Sequence, residues 1–506
     1  MVFYMSIGVV LLFVLWGGLM PESLASAANS LLVFATNKFG WFYLIAAFSF
    51  LVFVLYLAFS KYGQIKLGKD DDEPEYSNFT WFAMLFSAGM GIGLVFWGVA
   101  EPLSHYVTPP VGEGQTDEAA RLAMRYSFFH WGLQPWGIYT LLALSLAYFK
   151  FRKGYNGLIS LTFRPLFGEK VSGPLGKSID ILAIIATVFG VATSLGLGVL
   201  QINGGLSHIA GINSNIVNQL IIIAVVTVLY LISATTGLDR GIKYLSNANL
   251  LIAVALLLLT MFLGPTSFLF DIFTSTLGSY LQNLMSMSLR MTPFTDSKWI
   301  SGWTLFYWAW WIAWAPFVGT FIARVSKGRT IREFVLGVML IPSLFSFVWF
   351  AVFGGTALHM EIFEGIKLSQ VAEKDVTLTL FEMLENLPMG MLLSVVATLL
   401  IITFFVTSAD SATFVLGMLS SNGKLNPSNK VKVTWGILQA TIASVLLLSG
   451  GLQGLQTASI VAALPFALIM VLMCFSLMKA LQEETKIYKK KQTSERKLEM
   501  ILNDSK

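Results

Sequence analysis

Ser87-Ala88-Gly89-Met90-Gly91-Ile92-Gly93 interrupts an otherwise apolar run with three glycines at alternate positions. Each such glycine costs a helix about 1 kcal/mol relative to alanine. Two arrangements tolerate that. Small residues let membrane helices approach closely. Alternatively, the segment unwinds and turns its freed backbone groups toward a polar cavity, since irregular backbone survives at membrane depth only in such a place. The first gives a plain bundle of helices and the second a bundle built around a site.

Outward from this stretch, composition identifies the solvent. Of 506 residues, 56% are hydrophobic and 12% charged, against about 25% charged in a soluble globular chain. That much apolar surface cannot be wrapped around one aqueous core, so the remaining solvent is lipid. Twelve apolar runs are legible, near residues 5–20, 40–60, 80–100, 129–149, 179–205, 216–235, 248–265, 300–323, 336–358, 391–420, 433–449 and 457–478. A helix needs roughly 20 apolar residues to cross a bilayer. The runs are continuous and too long for the alternating strands of a barrel, which leaves helices. Met5 to Met20 lacks a charged leader region and a small-residue cleavage site, and reads as a first span.

Basic residues alternate between connections. One set of loops carries Lys61, Lys66 and Lys69, then Lys150, Arg152 and Lys153, then Arg324, Lys327, Arg329 and Arg332. The other set is poor in them, with Lys38, Arg121 and Arg125 among its few. Positive loops stay in the cytoplasm, so both termini are expected there, in a multi-pass protein of the cell membrane. Residues 266–298 read as an extracellular amphipathic connector and 481–506 as a basic cytoplasmic tail. Its Lys489-Lys490-Lys491 run faces anionic lipid, as a topological anchor or as a surface sensor. The net charge of +5 is spread over loops and tail, with no basic domain for nucleic acid. Cys474 is the single cysteine and sits in an apolar run, as a small hydrophobe.

Two aromatic stretches carry chemistry. His130-Trp131-Gly132-Leu133-Gln134-Pro135-Trp136-Gly137-Ile138-Tyr139 lies in the fourth run, and Tyr307 to Phe317 (YWAWWIAWAPF) in the eighth. Tyr307, Trp311 and Trp314 share a helical face at i, i+4 and i+7. An interfacial aromatic belt sits at span ends, whereas these residues are mid-span beside Pro316, expected to interrupt the helix. Several aromatic faces in a dry cavity suit a quaternary ammonium. Its methylated nitrogen has no N–H to donate, but each desolvated ring face offers about 2 kcal/mol. No Asp, Glu, Lys or Arg stands between the ends of the third, fourth, fifth or eighth runs, so the cage is expected to hold its cation without a fixed counter-charge. A zwitterion brings its own carboxylate, which freed N–H groups near Gly89, Gly91 and Gly93 could meet. Phe404 to Ser411 (FFVTSADS) adds hydroxyl and carbonyl oxygens suited to a hard cation. Asp410 reads as the most interior acid, as a functional group or as the pin of a helix end. The four histidines look scattered, and no catalytic set or metal cluster is apparent, which excludes an enzyme. No ring of like charge points to a channel.

Glycine 89 to proline 102 (GMGIGLVFWGVAEP), Asp72 to Phe79 (DEPEYSNF), Tyr307 to Arg324, Gly328 to Gly337 (GRTIREFVLG) and Thr407 to Thr413 (TSADSAT) together resemble the betaine/carnitine/choline transporter family over about residues 5–480. The resemblance implies an all-α integral membrane protein of twelve transmembrane helices. Two N-terminal spans (1–60) would precede two inverted five-helix repeats, spans 3–7 (79–265) and 8–12 (299–480). It implies a substrate cage of Trp131, Trp136, Tyr139, Trp310, Trp311 and Trp314, and a sodium site of Ser87, Met90, Phe404, Thr407 and Ser408. A second sodium site would use Thr187, Ser194 and Phe317, although Val191 there departs from the hydroxyl pattern of sodium-coupled relatives. Gly93 resembles the betaine type, where choline carriers of the family tend to have an acid. The implied function is sodium-coupled import of glycine betaine by a homotrimer, with no cofactor beyond the coupling ions. The alternatives are sodium-independent exchange of carnitine-like compounds, or choline import.

Overall fold

The computed structural model describes the backbone of residues 1–89, 91–236 and 239–504, and the side chains of these except 86, 88, 89, 239–243 and 488–504. Met90 and the Lys489–Lys491 side chains therefore lie outside the described residues. The long helices are α1 (Val2–Leu19), α2 (Pro21–Phe59), α3 (Asn78–Gly89), α4 (Ile92–Val107), α5 (Asp117–Trp131), α6 (Leu133–Ala147) and α7 (Pro174–Ala210). They continue as α8 (Ile216–Thr236), α9 (Asp239–Leu263), α10 (Thr266–Ser288), α11 (Phe306–Arg324), α12 (Ile331–Phe363), α13 (Gly390–Ser420) and α14 (Asn429–Asp504).

Among the described residues, nine helical segments are long and apolar enough to cross a membrane. The three missing from the expected twelve fall where helices are broken or fused. The third run is two short helices, α3 and α4, with Gly91 extended between them (φ −172, ψ 178). The fourth is likewise α5 and α6, separated at Gly132 (φ −96, ψ −133). The eleventh and twelfth share α14, kinked at Gly451 (φ 54, ψ −136). The expected interruption at Pro316 is not there: α11 runs unbroken from Phe306 to Arg324. Proline removes one ladder bond, but packing of α11 against α6, α7 and α14 holds the helix through it. The irregular turn lies earlier, as a π-helical turn over Ser301–Leu305.

Burial sorts the helices into layers. The most apolar stretch of α7 is 83% buried and that of the Lys298–Arg324 segment 78%, against 17% for α8. Outward-facing Val217, Ile221, Val225 and Val228 leave α8 with an apolar outer face suited to lipid. Several hydroxyls that enter the interior bond back to their own helix. Ser127 donates to the carbonyl of Ala123, Ser145 to Leu141 and Thr413 to Ala409. A serine or threonine so bonded needs no water.

Two loops are stitched together on the basic side. Leu67 N–H donates to Arg329 O (2.7 Å), Gly328 N–H to Leu67 O (2.8 Å) and Ile331 N–H to Ile65 O (2.9 Å). The Arg329 guanidinium donates to Tyr76 O (2.7 Å) and lies 4.2 Å above the ring of Trp81. A capping box then starts α12: the Thr330 hydroxyl accepts from Glu333 N–H, and the Glu333 carboxylate accepts from Thr330 N–H. Nearby, Glu484 of α14 takes Arg152 (2.6 Å) and Lys153 (2.7 Å), and Arg152 also reaches Asp70 (2.6 Å).

Gly328 has φ +83, and a Cβ there would stand 2.2 Å from the carbonyl oxygen of Glu73. Gly154 has φ +75 with nothing within 4 Å. Alanine in the left-handed region costs about 1–2 kcal/mol at either position, and the clash adds to that at Gly328 alone. Gly328→Ala should therefore lower the thermal midpoint in detergent at least twice as far as Gly154→Ala. Equal shifts would show that the Glu73 contact relaxes without cost.

Candidate functional site

The two helix breaks open onto one space. Residues after the first break (Gly91, Ile92, Gly93), the end of α5 (Trp131), α6 (Trp136, Tyr139) and α11 (Trp310, Trp311, Trp314) line a cavity of about 50 Å³. A single water needs about 10–15 Å³ on that measure, so this space holds a few waters or one small organic group. All six aromatic residues expected for the cage line it, with Gly91 and Gly93, while the surroundings of Gly89 lie outside the described residues.

The rings are set at right angles and in stacks. Trp310 and Trp311 stack at 5.1 Å between centroids, and Trp131 meets Trp311 edge-on at 4.9 Å. Tyr139 is edge-on to Trp311 at 5.9 Å and to Trp136 at 5.4 Å. Four of the five indole N–H groups are already bonded within the protein. The indole N–H of Trp310 donates to Ser194 Oγ (3.2 Å), Trp311 to His130 O (3.0 Å), Trp314 to Gly190 O (2.7 Å) and Trp131 to Glu101 Oε2 (2.9 Å). What these four indoles leave for a guest is their ring faces, whose negative quadrupole attracts cations. The Tyr139 hydroxyl is buried without a partner among the described residues.

Two expectations are corrected here. An acid does stand behind the cage, and two of the histidines are not scattered. Glu101 is fully buried, more so than Asp410. Its Oε1 contacts His105 Nε2 (3.2 Å) and His130 Nδ1 (2.7 Å), and its Oε2 accepts from Trp131 Nε1 and the Tyr307 hydroxyl. Tyr307 thus serves the cage from behind. Sequence reading missed Glu101 because it stood one residue past the expected end of the third run. In the structure α4 continues through Pro102 to Val107. The available signal was an acid inside an apolar stretch that remains apolar beyond it. Glu101, His105 and His130 have ligand atoms within 4.8 Å of one another. Both histidines address the same carboxylate oxygen, and the other oxygen is already used. The geometry is that of a hydrogen-bonded carboxylate.

A second cavity of about 520 Å³ adjoins the first, sharing Trp314 and Ser408 with it. Ser87, Phe404, Thr407 and Ser408 all line it, as does Phe317. Lys150, Arg324 and Lys432 line it too, so it reaches the basic loops. The Thr407 hydroxyl contacts the carbonyls of Thr403 and Phe404 and accepts from Asn249 Nδ2 (3.1 Å). Asn249, on α9, escaped sequence reading because nothing local marks it. Ser194 lines the cage, whereas Thr187 lines neither cavity and donates to Ala183 O (2.7 Å).

A helical membrane bundle with an aromatic cavity at two helix breaks, adjoining a wide vestibule, defines a small-molecule transporter. Its family follows from comparison. The description of the betaine/carnitine/choline (BCCT) family transporters matches residues 1–486, and the chain belongs to this family. It is accordingly a transporter and not an enzyme. It is 51% identical to the glycine betaine transporter OpuD of Bacillus subtilis (strain 168), over 97% of this chain and 96% of that one. Identity is 49% to the ectoine/hydroxyectoine transporter of Virgibacillus pantothenticus, over 96% of this chain and 97% of that one. It is 42% to the osmo-dependent choline transporter BetT2 of Acinetobacter baylyi (strain ATCC 33305 / BD413 / ADP1), over 96% of this chain and 71% of that one.

A Cβ at Gly93 would stand 2.5 Å from the Trp310 ring and 3.1 Å from that of Trp131. Gly93→Ala should therefore displace both rings and weaken substrate binding about ten-fold, the loss of roughly one ring contact of 1–2 kcal/mol. Binding measured on the folded variant checks this, and unchanged affinity would show that the two rings can retreat.

Proposed function

We propose that the chain imports glycine betaine, driven by sodium, by alternating access in the cell membrane. The observation that carries this is the cage: aromatic faces meet in one narrow cavity while the indole N–H groups of Trp131, Trp310, Trp311 and Trp314 are bonded elsewhere. Such a cage favours a cation that cannot donate hydrogen bonds, and a trimethylammonium group is that cation. The carboxylate of betaine would lie toward Gly91 and Gly93, where the first N–H groups of α4 have no intrahelical acceptor. The space at Gly93 leaves no room for an acidic side chain, in keeping with a substrate that carries its own. The relative named as a glycine betaine transporter supports the same substrate.

Sodium would bind beside the cage, between Ser87 near the break and Phe404, Thr407 and Ser408 of α13, with Met90 completing the set. A second ion would use Thr187, Ser194 and Phe317. Each sodium moving down a membrane potential supplies about 2.3 kcal/mol per 100 mV. Two ions at 100 mV would sustain about three decades of betaine gradient. The vestibule reaching Lys150, Arg324 and Lys432 is then a route to the cytoplasm, on the side that also holds both termini. The twelve-span layout with inverted repeats over 79–265 and 299–480, and a homotrimer, complete the proposal.

One observation favours sodium-independent exchange instead: the Thr407 hydroxyl is already bonded within its helix and to Asn249. Uptake of labelled glycine betaine into proteoliposomes separates the two. Accumulation should require an inward sodium gradient and vanish when potassium replaces sodium. Uptake that instead depends on preloaded substrate would establish exchange. Trp311→Leu should raise KM about thirty-fold, for loss of a desolvated ring face of about 2 kcal/mol.

A further inference from the structure

We propose that Glu101 is a fixed counter-charge for the cage, a positioning residue that acts on the substrate cation through Trp131 and Tyr307 without touching it. The proposal rests on the reading that the cage takes a quaternary ammonium group. Glu101 is 0% exposed. An indole N–H can only donate, so the Trp131 contact makes Oε2 an acceptor. His130 Nε2 faces the Thr304 hydroxyl at 3.0 Å. That hydroxyl can donate to Nε2, which leaves the proton on Nδ1 for Glu101. His105 Nε2 and the Tyr307 hydroxyl complete the shell. With His105 in its Nε2–H form each oxygen has two donors, the shell an ionised carboxylate needs. None of these partners is a lysine or arginine, so no fixed cation cancels the charge.

The two rings tied to this carboxylate both abut Trp311. Trp131 meets it edge-on at 4.9 Å, and Tyr307 stacks with it at 6.1 Å. The charge reaches the guest in two ways. It attracts a cation across one ring layer in a medium of low dielectric. It also polarises the donors bonded to it, and with them the rings that face the cavity. Its setback position matters for a zwitterion. An acid in direct contact would repel the substrate carboxylate and would equally welcome a primary ammonium, which can donate. Behind a ring, the charge favours the cationic end while the contact surface stays aromatic.

The test compares glycine betaine with 3,3-dimethylbutyrate, which has the same shape and carboxylate but a neutral carbon in place of the nitrogen. Affinities are measured on the purified full chain in detergent, by calorimetry, for the wild type and Glu101→Gln. The wild type should strongly prefer betaine, and Glu101→Gln should cut that preference about ten-fold. If both ligands weaken equally and their ratio holds, Glu101 merely props Trp131 and the proposal falls. Should Glu101→Gln fail to fold, Tyr307→Phe carries the test. It keeps the ring but cuts one link to the carboxylate, and should lower the ratio about three-fold. An unchanged ratio there also overturns the proposal. A wild type that does not prefer betaine over the isostere would instead sink the cage reading itself.

Discussion

Lipid offers no hydrogen bonds, so a membrane helix can come apart only where protein or an enclosed cavity takes up its backbone. The architecture follows from that constraint. The breaks at Gly91 and Gly132 open onto the same space, and α11 closes it with its indoles. Elsewhere several buried hydroxyls bond back to their own helix, as at Thr187 and Thr193. The irregular backbone and the exposed ring faces are thus found together because each needs the other. A break without a cavity would leave orphaned groups in hydrocarbon, and a cavity without a break would have no route for the chain to bend around it.

The same economy governs the tryptophans. An indole brings an apolar face and one donor that must be satisfied when buried. Here the donors of Trp131, Trp310, Trp311 and Trp314 are spent on the surrounding helices. A guest that needs a hydrogen-bond donor finds none left on these four indoles, while a guest with a diffuse positive charge finds stacked and edge-on faces. Selectivity therefore comes as much from what the cage withholds as from what it presents.

Much of this was legible in the sequence, for reasons particular to each residue. The aromatic stretches at 131–139 and 307–314 stood out because mid-span tryptophans have few structural duties. The glycine stretch at 89–93 carried a helix penalty that called for a reason. The span count was less legible. Length and hydropathy cannot distinguish one helix broken at Gly132 from one that continues, nor two helices fused across Gly451 from two apart. Pro316 was over-read, since close packing carries α11 through it. Glu101 was missed because all its partners but His105 lie on other helices, α5 and α11, and Asn249 because its partner lies on α13. Such pairings are properties of the packed bundle and leave no periodic trace along the chain.

The anchoring of α11 has a mechanical side. Trp310 bonds to Ser194 and Trp314 to Gly190, so each helix is gripped at two points four residues apart, with the chains running antiparallel. Four residues is about one helical turn. One such bond would act as a pivot, about which α11 could swing against α7. Two bonds a turn apart act as a splint that resists both sliding and rotation. The pair therefore moves as one beam, and any rearrangement that uncovers the cavity on the far face falls to joints not doubled in this way. The break at Gly91 before α4 is one such joint. The seam between α9 and α13, fastened at Asn249 and Thr407, is another.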